Sequence, residues 1–250
     1  KFKKFKFKIL INVHLNGYAT DIINIKNFCK LNKIFLIEDC AEALGTSFKK
    51  KKVGTFGDIG TFSFFANKTI TTGEGGMCVT NNKNIATKLR IIRDHGMDPK
   101  KKYWHIKKGF NHRLTNIQAT VGIEQLKLIH EITRIRKKNF SQYIDFFKNK
   151  NYFQKVDCYN HCDPTMWYFP FTLSKNFKNK KKKLLLFLKE KKIETRNFFY
   201  PLDQMKIFSS RKYCLESSKI SLRSFYLPVY AGLTRKKINI ICKTIDVFFN

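Results

Sequence analysis

Two hundred and fifty residues, 43% of them hydrophobic, can bury a sizeable core as one large domain or two small ones. A formal charge of +32 invites a nucleic-acid reading, but the lysines are scattered through every predicted element instead of lining one face. Seven cysteines without regular spacing exclude a disulfide framework and suit a reducing cytoplasm.

The runs Lys49–Lys52 and Lys180–Lys183 fall in a predicted turn and at a helix start, where solvated charge is tolerated, so salt-sensitive adhesion to polyanions is expected but no specific nucleic-acid partner. Cys158-Tyr159-Asn160-His161-Cys162 offers half a metal site with no second ligand pair at zinc-finger spacing, and no metal is expected. The basic start, Lys1–Lys8, is not followed by the apolar segment of a signal peptide. No uninterrupted apolar run reaches membrane-spanning length, so no membrane insertion is expected.

In chain order, Ile9–Val13 reads as a first strand. Thr20 or Asp21 then caps a helix whose apolar face is Ile22, Ile25, Phe28 and Cys29. The unbroken apolar run Ile34–Ile37 fits a strand buried on both faces, and strand, helix, strand over this span predicts a parallel pair. Lys49–Gly57 is a surface turn, Phe62–Phe65 a buried strand and Met77–Thr80 another, turned by Asn81-Asn82. Ile85, Leu89, Ile92 and Arg93 mark a helix that stops before Gly96. Met97–Gly109 lacks periodicity and reads as a long, functional loop.

Thr115 caps a long helix bearing Ile117, Val121, Leu126 and Ile129, and the pattern resumes through Phe140, Tyr143 and Phe147 after a break near Glu131–Arg136. Met166–Leu173 is an aromatic strand whose Pro170 places it at an edge or bulge. Leu184, Leu185 and Leu188 make a helix face, Arg196–Leu202 is extended, and Thr234 caps a last helix with Ile238, Ile241, Cys242, Ile245 and Phe249 facing inward.

Two stretches carry chemistry. Lys68 follows the aromatic run Phe62–Phe65 and precedes Gly73-Glu74-Gly75-Gly76, a turn that lets backbone bend sharply or approach a ligand closely. With no charged neighbour until Glu74, such a lysine loses solvation, its pKa falls, and the neutral amine becomes a nucleophile toward carbonyls. The other reading is a strand-end lysine that snorkels to water. The strand Ile34–Ile37 ends in Glu38-Asp39-Cys40-Ala41-Glu42, and the C-terminal end of a parallel strand is where open α/β sheets bind ligands. An aspartate there, with a Schiff-base lysine, is the pair that pyridoxal 5'-phosphate (PLP) needs, because the carboxylate keeps the pyridine nitrogen protonated.

The chain resembles the DegT/DnrJ/EryC1/StrS family of sugar aminotransferases. The matching blocks are Val13-His14-Leu15-Asn16-Gly17, Ile37–Ala43, Val53–Asp58, Ser63–Lys68 running on to Gly73–Met77, Arg93–Met97, Gly109–Asn116 and Thr195–Leu202. They occur in family order over nearly the whole chain, and the nearest flavour is the perosamine-synthase type. The resemblance implies a fold-type-I, aspartate-aminotransferase-like α/β architecture. Residues 1–135 would be the C-terminal part of the large PLP-binding domain and 136–250 a small C-terminal α/β domain.

It also implies transfer of an amino group from glutamate to a nucleotide-linked 4-keto-6-deoxy sugar, in a cytoplasmic homodimer. Lys68 would hold PLP as a Schiff base and then move protons. Asp39 would pair with the pyridine nitrogen, Glu42 would stand at the ring hydroxyl, and Ser63 would bond the phosphate. Asn111 would reach the phosphate in the neighbouring subunit. Glu42 stands where many relatives carry glutamine, and a charged carboxylate would oppose the ring oxygen, so a protonated or displaced side chain is expected.

Singly, each residue has a plainer role: Asp39 as a turn cap, Ser63 in a local bond, Asn111 and Arg113 as pins for the 97–109 loop. His95, His105 and His112 have no assigned partner. The family pattern normally includes a further N-terminal segment with a phosphate-binding glycine turn and a stacking aromatic. None is found before Lys8, so an inactive fragment is the alternative reading, with Lys1–Phe5 lacking a native partner.

Overall fold

The computed structural model describes residues 7–208 and 214–250; the expectation for Lys1–Phe5 lies outside them. The chain divides into two compact units, one of residues 1–133 with 158–167, the other of 134–157 with 168–250. The sequence-based boundary at 135/136 places residues 158–167 with the second part. In the structure they belong to the first, because the chain returns there to add a short strand.

In the first unit, β1 (Ile9–Val13), α1 (Ile22–Leu31) and β2 (Phe35–Asp39) form the predicted βαβ unit, with β1 and β2 parallel and Val13 opposite Asp39. Asp21 caps α1 by accepting the Asn24 N–H at 3.4 Å. Ile22 and Cys29 of α1 pack with Leu36, Cys40, Ala43, Phe48, Val53 and Phe56 into one core. β2 runs two residues past the predicted end. It buries Leu36 and Glu38 on one side and leaves Phe35, Ile37 and Asp39 partly open, so it is not buried on both faces.

Next, β3 (Ser47–Phe48) and β4 (Lys51–Lys52) make a tight hairpin that opens just before the predicted surface turn and runs into it. Lys49 and Lys50 both adopt left-handed backbone, φ 47° and 66°. β5 (Ile59–Ser63) lies parallel to β2, and β6 (Gly76–Val79) antiparallel to β5, giving the order β1-β2-β5-β6. The predicted strand Phe62–Phe65 therefore ends early. The Ser63 hydroxyl accepts the Phe65 N–H at 3.3 Å, and Phe64 bonds across to Gly75 and Thr72, so the chain leaves the sheet before Lys68.

α2 (Lys83–Arg93) is capped by Asn82. The predicted loop 97–109 contains a hairpin instead, β7 (Met97–Asp98) with β8 (Lys101–His105). Every residue of β8 is exposed, so no inside/outside alternation marks it in the sequence. α3 (Asn116–Lys127) starts in a capping box, where Thr115 bonds the Gln118 N–H and Gln118 bonds back. α4 (Ile129–Phe147) follows directly; the break falls at Leu128, ahead of the predicted Glu131–Arg136. Ile117, Val121 and Leu126 of α3 are exposed.

Beyond α4 come β9 (Phe153–Gln154), in the second unit, and β10 (Cys162–Asp163), which pairs with β3 in the first. The second unit then adds β11 (Phe169–Leu173), α5 (Lys181–Glu190), β12 (Arg196–Asn197), α6 (Leu215–Ser221), β13 (Ser224–Leu227) and α7 (Arg235–Phe249). Its sheet is antiparallel in the order β12-β13-β11-β9.

β11 is an inner strand buried along its whole length, not the predicted edge. Its pairing with β9 reaches only Thr172 and Leu173, which leaves Pro170 bonded on one side alone, where a missing N–H costs nothing. Phe140, Tyr143 and Phe147 of α4 pack on it, with Phe140–Phe169 and Tyr143–Phe169 centroids 4.7 Å apart and Phe147 edge-on to Phe171 at 4.9 Å. α7 is capped by Thr234 and buries Ile238, Ile241, Cys242 and Ile245, while Phe249 is half-buried.

Candidate active site

The site is built at the C-terminal end of β2. Glu38, fully buried, anchors it from behind. Its carboxylate accepts N–H groups from Phe56 and Gly57 at 2.6 Å and Gly54 at 2.9 Å, and bonds His14 Nε2 at 3.1 Å. Burial pushes the Glu38 carboxyl up, but these four bonds together outweigh it and hold the group below its ordinary value. His14 Nδ1 accepts the Thr20 N–H at 3.3 Å, so the proton on its other nitrogen faces Glu38.

His14, Glu38 and Cys40 present ligand atoms within 4.8 Å of one another, the kind of cluster that could hold a metal. Here both imidazole nitrogens and both carboxylate oxygens are engaged in bonds, and burial raises the Cys40 thiol so that it stays protonated. The chemistry of this set is structural.

Because side chains alternate across a strand, Asp39 faces the other way from Glu38 and is partly open. Its Oδ1 accepts the Ala41 N–H at 3.0 Å, the turn-capping role, and its other oxygen stays available. Glu42 follows on the turn and is buried, with Oε2 accepting the Asn16 N–H at 2.6 Å. Asn16 sits in left-handed backbone, φ 59°. Gly17 beside it has φ +84°, and a Cβ there would stand 3.0 Å from Thr165 Oγ1 and 3.1 Å from the Glu42 carbonyl oxygen. Burial pushes the Glu42 carboxyl up; the Asn16 N–H and the charge of Lys68 pull it back, and Asp39 adds to the rise.

Lys68 meets these carboxylates from the turn after β5. Burial lowers its pKa, while Glu42 and Asp39 act to raise it. Among the described residues its amine makes no hydrogen bond or ion pair. Its short contact is with the Trp167 ring, whose centroid lies 4.3 Å from Nζ. Among the described residues the neighbouring Asn67 Oδ1 is likewise buried without a partner. The turn that carries Lys68 is pinned by Gln125 of α3, which accepts the Thr71 N–H at 3.1 Å and donates to the Thr71 carbonyl oxygen at 2.8 Å. Gly75 has φ +140°, and a Cβ there would come within 2.8 Å of Thr72 and Leu114.

Lys68, Asp39 and Glu42 thus lie close enough to influence one another electrostatically. Ser63 ends β5, and since its oxygen accepts from Phe65 its own hydrogen remains to donate. Asn111 is exposed, bridges to Asp94 and accepts from Arg113 Nε at 3.2 Å, while Arg113 pairs with Asp94 at 3.4 Å. His95 and His105 help fold that hairpin, His105 Nδ1 lying 2.9 Å from the His95 carbonyl oxygen.

Sequence reasoning misses Trp167, Asn16 and Gln125. Trp167 lies in a stretch that reads as a strand, 100 residues beyond the Asn67 it bonds, and nothing local marks it. Asn16 stands in a family-matching block, but its role is played by backbone, which carries no side-chain signal.

The amine without a polar partner, the facing carboxylates and the orphaned Asn67 oxygen fit a planar, carbonyl-bearing cofactor such as PLP.

The chain is 35% identical to the GDP-perosamine synthase of Vibrio cholerae over 98% of its own length and 67% of that protein, and 36% identical to the one from Escherichia coli O157:H7 over 98% and 66%. The chain therefore spans about two thirds of the length of these relatives. Among solved structures it resembles Helicobacter pylori PseC, an aminotransferase involved in the biosynthesis of pseudoaminic acid. The TM-score is 0.89 with 26% identity, covering 96% of this chain and 66% of that one. The fold is α/β and of fold type I. With residues 4–246 matched to it, the chain belongs to the DegT/DnrJ/EryC1/StrS aminotransferase family.

Proposed function

We propose that this chain carries the catalytic lysine and the ring-binding carboxylates of a PLP-dependent aminotransferase, which moves an amino group from glutamate to a nucleotide-linked 4-keto-6-deoxy sugar of the perosamine type. The first unit is read as part of the large cofactor-binding domain and the second as the small domain. The observation that carries this reading is the Lys68 amine, half-buried, without a polar partner and facing two carboxylates.

When bound, PLP supplies an electron sink that stabilises the carbanion formed beside the transferred nitrogen. The residues do the rest. Lys68, with its lowered pKa, has a larger neutral fraction near neutral pH than an exposed lysine, so it can attack an aldehyde and later take up and return a proton. Asp39 would hold the pyridine N–H. Glu42, whose Oε2 already accepts from Asn16, would turn Oε1 toward the ring oxygen; burial pushes its carboxyl up, which eases the charge conflict that a carboxylate would create there. Ser63 would donate to the phosphate. Asn111, exposed on its own loop, suits a bond to the phosphate of a neighbouring subunit in a homodimer.

The test is covalent trapping. The protein is incubated with PLP, reduced with borohydride and digested, and the modified peptide is identified by mass spectrometry. The cofactor mass is expected on Lys68 and is lost in Lys68→Ala. A label spread evenly over surface lysines, unchanged in that variant, would remove the assignment.

A further inference from the structure

We propose that Trp167 is a positioning residue for the Lys68 amine: its indole face seats the amine, and its Nε1–H fixes the peptide that carries the lysine. This rests on the assignment of Lys68 above. The geometry has two parts. Nζ of Lys68 lies 4.3 Å from the ring centroid, and Nε1 of the same ring donates to the Asn67 carbonyl oxygen at 2.9 Å. One side chain therefore controls both ends of the lysine, the backbone before its Cα and the nitrogen at its tip.

The indole is itself immobilised. Trp167 is 4% exposed, and its backbone N–H bonds the Asn16 carbonyl oxygen at 3.4 Å. Met166 before it adopts left-handed backbone, φ 57°. Thr165 is tied to Thr46 by two bonds of 3.1 Å, Thr165 N–H to Thr46 Oγ1 and hydroxyl to hydroxyl. Asn16 thus bonds Glu42 through its N–H and Trp167 through its C=O, so carboxyl and indole are set by the same residue.

The charged groups facing Lys68 are Glu42 and Asp39. An aromatic face favours the ammonium over the amine. It therefore acts with the two carboxylates and against burial, which sets how much neutral amine is present at a given pH. It also gives the amine a defined resting place whenever it is not bonded to a carbonyl.

Two measurements test this without needing cofactor. The first is competitive labelling of lysines with acetic anhydride as a function of pH, read by mass spectrometry on Lys68. Lys181, whose pKa burial also lowers, is the internal reference. In Trp167→Leu the Lys68 midpoint should move to lower pH, with the amine about twofold to fivefold more reactive at a fixed pH below its midpoint. In Trp167→Phe, which keeps a ring face, the midpoint should stay near that of the parent. An unmoved Lys68 midpoint in Trp167→Leu with the Lys181 midpoint intact, or equal shifts in both variants, overturns the proposal.

The second leaves Trp167 in place. In a Trp104→Phe background Trp167 is the single tryptophan, and its fluorescence should titrate with the Lys68 midpoint and lose that step in Lys68→Met. A titration with no such step, or one that survives in Lys68→Met, overturns it. Failure of PLP trapping with these titrations intact would instead sink the functional assignment.

Discussion

At the scale of single residues, the adjacent carboxylates Glu38 and Asp39 are divided by strand geometry into a fully buried support and a partly open neighbour. Glu38 is held below its ordinary value by its four bonds, so its stabilisation is fully present above the usual carboxylate pKa and is lost as pH falls through the depressed value. Replacing it with glutamine should cost on the order of 3 kcal/mol at neutral pH, since backbone donors are left facing an amide nitrogen. The variant should also lose less stability than the parent between about pH 5 and pH 3, as read by urea unfolding. Equal acid slopes in the two proteins would mean that the bonds to Gly54, Phe56 and Gly57 do not hold the group ionised.

Elements differ in how plainly the amino-acid pattern announces them. The βαβ start and the last helix are legible because a polar cap precedes a one-faced apolar pattern: Asp21 before Ile22, Thr234 before Ile238. The hairpin at 97–105 is not, since both of its faces meet solvent. β12 falls within the extended stretch read at Arg196–Leu202, whereas β13 and α6 escape notice because they are short and the pairing partners of β13 are distant in sequence. The site divides in the same way. Lys68, Asp39 and Glu42 stand in local motifs, whereas the indole over the lysine and the clamp from Gln125 depend on contacts across long separations.

The β3–β4 hairpin offers a test at this scale. Its two turn residues are lysines in a conformation that favours asparagine and glycine. The double change Lys49→Asn, Lys50→Gly should raise stability by roughly 1–2 kcal/mol, seen as a higher denaturant midpoint with an unchanged slope. No gain would show that bonds such as Lys49 N–H to the His161 carbonyl oxygen compensate the strain.

For the molecule as a whole, charge and connectivity matter most. A net charge of +32, with exposed lysines on elements of both units, predicts adhesion to heparin or DNA that lacks sequence preference and disappears by about 1 M salt, where charges a few ångströms apart no longer see each other. Retention on a heparin column at that salt would point to a built anion site instead. Among the described residues no helix is long and apolar enough to cross a membrane.

The return of residues 158–167 to the first unit means that the backbone passes between the units three times, at 133/134, 157/158 and 167/168. A gene shortened at the inviting boundary near residue 135 would still encode Lys68, Asp39 and Glu42, yet would discard the indole that lies against the lysine and the threonine latch beside it. Modular swapping within such a chain must carry that detached decapeptide along, or the recipient inherits a lysine without its rest.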